Sequence, residues 1–126
     1  MLRSQIKLEK FEKALESLKA IYLQPIDSSR IHIDTTIQRF EFTFELAWKF
    51  LKNYLQDRGL NLYYPKEILK EAFMGKIIDN ENIWIQMLND RNMTFHTYNE
   101  QLANEIFIRI RSYVPEMIQL LQKVKE

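Results

Sequence analysis

Ile37-Gln38-Arg39-Phe40-Glu41-Phe42-Thr43-Phe44-Glu45-Leu46-Ala47-Trp48-Lys49-Phe50-Leu51-Lys52-Asn53-Tyr54-Leu55 carries the strongest structural signal in the chain. Ile37, Phe40, Phe44, Trp48, Leu51 and Leu55 recur at steps of three and four, which lays them along one face of an α-helix. Phe42, Leu46 and Phe50 form a second stripe at steps of four on another side. A helix apolar on two sides has to be covered on two sides. In a chain of 126 residues one of those covers can be another subunit. Phe40, Phe44 and Trp48, together with Trp84 further on, are therefore the candidates for core or subunit-interface residues.

This helix is predicted over residues 31–58 and ended by Gly59. Before it, Gln24-Pro25-Ile26-Asp27-Ser28-Ser29 is a turn-rich break, with serines suited to cap the long helix. A first helix over residues 4–21 carries Ile6, Phe11, Leu15, Leu18 and Ile21. Pro65 suits the first position of a short third helix, roughly 66–74, closed by Gly75. Asp79 or Asn80 can cap a fourth helix carrying Ile83, Trp84, Met87 and Leu88. A last helix is predicted over 99–125, with Pro115 expected to kink or divide it. The pattern is that of one domain, residues 1–126, folded as an all-α, up-and-down bundle of four or five helices.

The bulk composition fits. Hydrophobic residues make up 46% and aromatics 13%, with two glycines and three prolines, which is the profile of an ordered, helix-rich globule. Eighteen basic and seventeen acidic residues leave a formal charge of +1, which is not the footprint of a protein that coats long nucleic acid or reads DNA. There is no cysteine, so disulfides and thiolate metal sites are excluded. The first residues lack the apolar core of a signal peptide and no apolar run reaches membrane-spanning length, so the expected compartment is the cytoplasm. No metal and no organic cofactor is expected, since no glycine-rich phosphate loop is present and Glu41 and Glu45 lack a histidine or aspartate at ligand spacing.

Chemistry concentrates in Arg91-Asn92-Met93-Thr94-Phe95-His96-Thr97-Tyr98. Arginine grips phosphate through parallel hydrogen bonds, and histidine exchanges protons near neutrality, so the pair could hold and cleave a phosphodiester without a metal. Asn92 adds a neutral donor and acceptor beside the arginine, and Tyr98 a hydroxyl beside the histidine. On an unbroken helix five residues turn through about 140°, so Arg91 and His96 would not share a face unless the helix loosens around Asn92-Met93-Thr94. Alternatively, two copies face each other across a dimer axis, which would also supply the second histidine that acid–base cleavage of RNA requires. The plainer reading pairs Arg91 with Asp90 or a neighbouring helix and has His96 capping or hydrogen-bonding near a helix end. His32 reads as a surface histidine. Lys49, Lys52, Arg109 and Arg111 are possible phosphate contacts.

Arg39-Phe40-Glu41-Phe42-Thr43-Phe44-Glu45-Leu46-Ala47-Trp48-Lys49 resembles the central-helix signature of the nucleotidyltransferase substrate-binding protein family, within the HEPN superfamily and close to the HepT-like toxins. Glu71-Ala72-Phe73-Met74-Gly75-Lys76-Ile77-Ile78-Asp79, then Trp84, Met87, Arg91-Asn92, His96 and Tyr98, follow the same pattern in order over nearly the whole chain. The resemblance implies a homodimeric helical bundle that works with a separate minimal nucleotidyltransferase, usually encoded next to it. It further implies that Arg91 and His96, assisted by Asn92, carry metal-independent RNA cleavage. Tyr98 is the implied acceptor of AMP from the partner, which silences the nuclease. The alternative it leaves open is a non-catalytic subunit that binds a ligand for the partner to nucleotidylate, or a structural dimer with a degenerate site.

Overall fold

The computed structural model describes residues 3–22, 24–25 and 29–125. These residues form α1 (Arg3–Tyr22), α2 (Arg30–Gln56), α3 (Pro65–Met74), α4 (Glu81–Asn92), a 3-10 turn at Thr94–His96, and α5 (Glu100–Lys125), with no strand among them. The all-helical expectation holds.

The helices end where side chains can take over the unpaired backbone groups. Ser29 accepts a hydrogen bond from the His32 amide at 3.3 Å and caps α2. Ile26, Asp27 and Ser28 of the expected break lie outside the described residues. Past the other end of α2, Gly59 adopts φ +92°, and the Leu60 amide reaches back to the Leu55 carbonyl at 3.0 Å. Pro65 occupies the first turn of α3 as expected. Of the two candidate caps for α4, Asn80 does the capping, accepting from the Ile83 amide at 3.2 Å. Asn99 does the same for α5 through the Leu102 amide. Gly75 follows α3 as expected, but the left-handed conformation falls on Lys76, with φ 61°. Pro115 does not divide α5. Both it and Arg111, whose carbonyl its ring deprives of a partner, are exposed, so water can replace the missing bond.

Helix directions follow from paired positions. Ser4 with Asp57, Ala14 with Thr43 and Ser17 with Arg39 make α1 and α2 antiparallel. Asp79 with Lys123 and Asp90 with Arg109 do the same for α4 and α5. His32 against Phe107 and Phe40 against Tyr113 set α2 and α5 side by side in the same sense. Phe11, Leu15, Phe40, Phe44, Leu69 and Trp84 close the shared core, and each such side chain contributes roughly 1.5–3 kcal/mol when taken from water.

Of the two alternatives, core and subunit interface, the structure places Phe40, Phe44 and Trp84 in the core, against their assignment to an interface. Phe40, Phe44 and Trp84 are fully buried within the chain's own core, and Trp48 is half-buried against it. A side chain with no exposed surface has nothing to offer a second subunit. The covers for α2 are α1, α3, α4 and α5 of the same chain. On the second stripe Phe50 is buried and Leu46 half-buried, while Phe42 remains 63% exposed in a groove between α1 and α2.

Candidate functional site

The Arg91–Tyr98 stretch begins in the last turn of α4 and leaves it. The helix stops at Asn92, and the Met93 amide makes a tighter bond to the Asp90 carbonyl at 3.0 Å. Two threonine hydroxyls then satisfy carbonyls that the helix no longer uses. Thr94 Oγ1 donates to Arg91 O at 2.8 Å, and Thr97 Oγ1 donates to Thr94 O at 2.9 Å. The loosening around Asn92-Met93-Thr94 named as one of the two conditions is therefore present, and the continuous-helix separation of Arg91 and His96 does not apply.

The four candidate residues occupy different environments. Arg91 is half-buried, with Nη2 2.5 Å from Glu45 Oε2 on α2 and Nη1 donating to Asn92 Oδ1 at 3.3 Å. The Glu45 contact is a charge pair rather than an aligned hydrogen bond, and Arg91 Nε is buried without a hydrogen-bond partner among the described residues. Glu45 also lies 3.6 Å from Lys49. Asn92 and His96 are exposed, and the His96 ring meets Tyr98 edge-on with centroids 6.0 Å apart. Tyr98 is 80% exposed and Phe95, next to the histidine, 77%. The plainer reading thus holds for Arg91, which pairs with Glu45 on the neighbouring α2, while His96 is exposed and makes no side-chain hydrogen bond among the described residues.

Asp90 is the anchor beneath this stretch. It is buried and accepts two hydrogen bonds from Arg109, Nε and Nη2 each at 2.8 Å, and a third from the Tyr113 hydroxyl. The Asp90 carboxylate holds the Arg109 guanidinium above its ordinary value, against the opposing effect of burial. Burial first, and then the bond to Asp90, pushes the Tyr113 phenol up. Arg109 is thus committed to fixing α4 on α5, which corrects its reading as a phosphate contact. Arg111 lies over the Phe107 ring and Lys52 over Tyr63, whereas Lys49 shares the Glu45 carboxylate with Arg91 and is the one suggested cation placed beside it. His32, half-buried on α2, packs against Phe107.

Beside the turn lies a cleft of about 300 Å³, lined by Arg30, Asp34, Ile37, Gln38 and Glu41 of α2 and by Thr94, Thr97 and Tyr98. Arg30 donates from Nη2 to the Thr97 carbonyl and pairs with Asp34 at 3.0 Å. Sequence reading missed Arg30, Glu45 and the role of Asp90. Their partners are remote in the chain, and a residue's own neighbours carry no signal of such pairing. Among the described residues no three His, Asp or Glu side chains gather as metal ligands, and no helix is long and apolar enough to cross a membrane.

The described residues form a five-helix bundle, and the chain belongs to the family described as nucleotidyltransferase substrate binding protein like, matched over residues 6–126. A Haemophilus influenzae protein named probable ribonuclease HepT is 27% identical, with 100% of this chain and 97% of that protein covered. A crystal structure from Thermus thermophilus superposes with a TM-score of 0.86 at 38% identity, covering 92% of this chain and 99% of that one. A Haemophilus influenzae structure, described as revealing the fold of a substrate binding domain of a nucleotidyltransferase, superposes with a TM-score of 0.82 at 28% identity over 94% and 99% of the two chains.

Proposed function

We propose that this chain is the helical partner subunit of a two-component minimal nucleotidyltransferase system and a HepT-like, metal-independent endoribonuclease whose activity is silenced by adenylylation of Tyr98. The observation that carries the reading is the exposed His96–Tyr98 pair on a turn that starts at the anchored Arg91. The relatives support it, one named a probable ribonuclease and another described as a nucleotidyltransferase substrate-binding domain.

In this reaction the RNA 2′-hydroxyl oxygen attacks the adjacent phosphorus while the bond to the 5′ oxygen breaks, leaving a cyclic phosphate and a free 5′-hydroxyl. His96 takes the 2′ proton and the second copy's His96, across a homodimer axis, returns one to the leaving oxygen. Arg91 neutralises the phosphate oxygens, and Asn92 adds a neutral donor. For silencing, the Tyr98 phenolic oxygen attacks the α-phosphorus of ATP held by the partner. The bond to the β-phosphate breaks, pyrophosphate leaves, and the phenolic proton passes to solvent. The AMP then places an anion near His96, opposing a second phosphate.

The second reading is a non-catalytic subunit that binds a ligand for the partner to nucleotidylate. The Glu45 contact favours it, because it already neutralises the one arginine of the pair. Cleavage of RNA in EDTA by the purified chain tests the choice, comparing wild type with His96→Ala before and after incubation with the partner and ATP. Cleavage lost in the variant, and lost again once AMP is on Tyr98, is the expected result. No cleavage from a folded dimer would move the assignment to the non-catalytic subunit.

A further inference from the structure

Tyr98 does not stand alone on the surface. It forms part of the wall of the 300 Å³ cleft, a volume at the lower end of what small-ligand sites occupy. The facing wall is a row on α2, Arg30, Asp34, Gln38 and Glu41, whose steps of four, four and three keep them on one side of the helix. Buried Ile37 contributes an apolar surface among them.

The row is polar in an ordered way. Arg30 stands at the end nearest the turn, its Nη2 on the Thr97 carbonyl, one residue before Tyr98, and its Nε on Asp34. A guanidinium has five donors, and Nη1 carries two that have no partner among the described residues. Toward the other end come Gln38 and Glu41, which make no hydrogen bond or ion pair among the described residues. Glu41 is an acceptor only, and Gln38 can present its carbonyl. Asp34 takes the Nε side of Arg30, so a ligand that fits offers an anion to Nη1, on the side of the guanidinium away from Asp34, and a donor at the Glu41 end. A phosphate placed the other way round would meet the carboxylate.

We infer that this cleft is a cradle for an adenine nucleotide, and that the AMP attached to Tyr98 folds back into it, with its phosphodiester on Arg30 and its 6-amino group donating to Gln38 and Glu41. The inference rests on the modification of Tyr98 proposed above and adds where the nucleotide goes. Guanine offers a carbonyl oxygen where adenine has the amine, and it would face the Glu41 carboxylate. Glu41 lies one turn before Glu45, the partner of Arg91, so a base lodged there fills the approach to Arg91 along α2. Silencing then comes from a nucleotide held in place rather than from a flexible appendage.

The full chain is incubated with its partner nucleotidyltransferase and ATP, and AMP on Tyr98 is confirmed by peptide mass spectrometry. The rate at which an added phosphodiesterase releases AMP is then compared for folded wild type, Arg30→Ala and Gln38→Ala. Gln38 is exposed, so its variant keeps the fold even if Arg30→Ala does not. Loss of one charge-assisted bond should speed release by about tenfold or more in Arg30→Ala, with a smaller rise in Gln38→Ala. Equal rates in all three would overturn the cradle while leaving the modification of Tyr98 intact. Absence of AMP on Tyr98 would instead sink the functional reading. The cradle is then decided by titrating AMP itself into the unmodified chain by NMR. Shifts at Arg30, Gln38 and Tyr98 that disappear in Arg30→Ala uphold it, and shifts elsewhere or none overturn it.

Discussion

Replacing Asp90 by alanine should loosen the joint between α4 and α5 more than any exposed substitution near the site. The carboxylate is buried, and three donors converge on it. Its removal strands the hydroxyl of Tyr113, a fully buried side chain, and an orphaned buried donor costs about 1–3 kcal/mol. Arg109 suffers less, because its side chain is 31% exposed and can turn to water, so the lost pair adds about 1 kcal/mol. The expected total is about 2–4 kcal/mol. Urea unfolding followed by circular dichroism measures it, at one fixed protein concentration because self-association would contribute to stability. A second substitution isolates the cause. Tyr113→Phe should destabilise the wild type but recover about 1 kcal/mol in the Asp90→Ala background, where it removes the stranded hydroxyl. A loss below about 1 kcal/mol for Asp90→Ala, or the same cost for Tyr113→Phe in both backgrounds, would rule out Asp90 as the anchor. The phenol also sets an alkaline limit. Its folded value is raised, so its contribution is fully present below about 10, the unfolded tyrosine value, and is lost as pH rises through the higher folded one.

Three further outcomes are expected. Glu45→Gln removes the charge beside Arg91, and since both partners are partly exposed, stability should fall by less than about 1 kcal/mol, while the proposed RNA cleavage should drop roughly tenfold from a misplaced guanidinium. Faster cleavage would show that Glu45 shields the arginine instead of positioning it. Trp84→Phe should cost under about 2 kcal/mol in the same urea assay, because it deletes an indole N–H that is buried without a partner, and a loss like that of a Trp→Ala change, about 3–5 kcal/mol, would contradict this. Burial, and then the charge of Asp79, raises the Glu116 carboxyl against the opposing Lys123. Its stabilising contribution is therefore fully present below the ordinary carboxylate range and is lost as pH rises through the folded value. Glu116→Gln should raise the melting temperature near neutrality and not below about pH 4.

Much of the candidate site was legible because it is local. Arg91, Asn92, His96 and Tyr98 fall within one short stretch, and the threonines that end α4 there belong to the same stretch. Arg30 and Glu45 were not legible as parts of it. They reach the stretch from α2, and nothing in their own neighbourhoods marks them. Arg109 was misread for the same reason: a lone cation on a helix does not reveal that a buried carboxylate on another helix has claimed it.

The helices and most of their ends are written locally in the chain. Apolar spacing, Ser29, Asn80 and Gly59 act through the backbone within a turn of where they stand, so their effect can be read residue by residue. What covers the apolar face of α2 became visible only in the packed bundle, which turns Phe40, Phe44 and Trp84 from interface candidates into core. The same packing rests Arg91 on Glu45 and sets Tyr98 at the border of a cleft. Periodicity tells which face of a helix must be buried and is silent on the partner, because burial depends on surfaces brought together from distant parts of the chain.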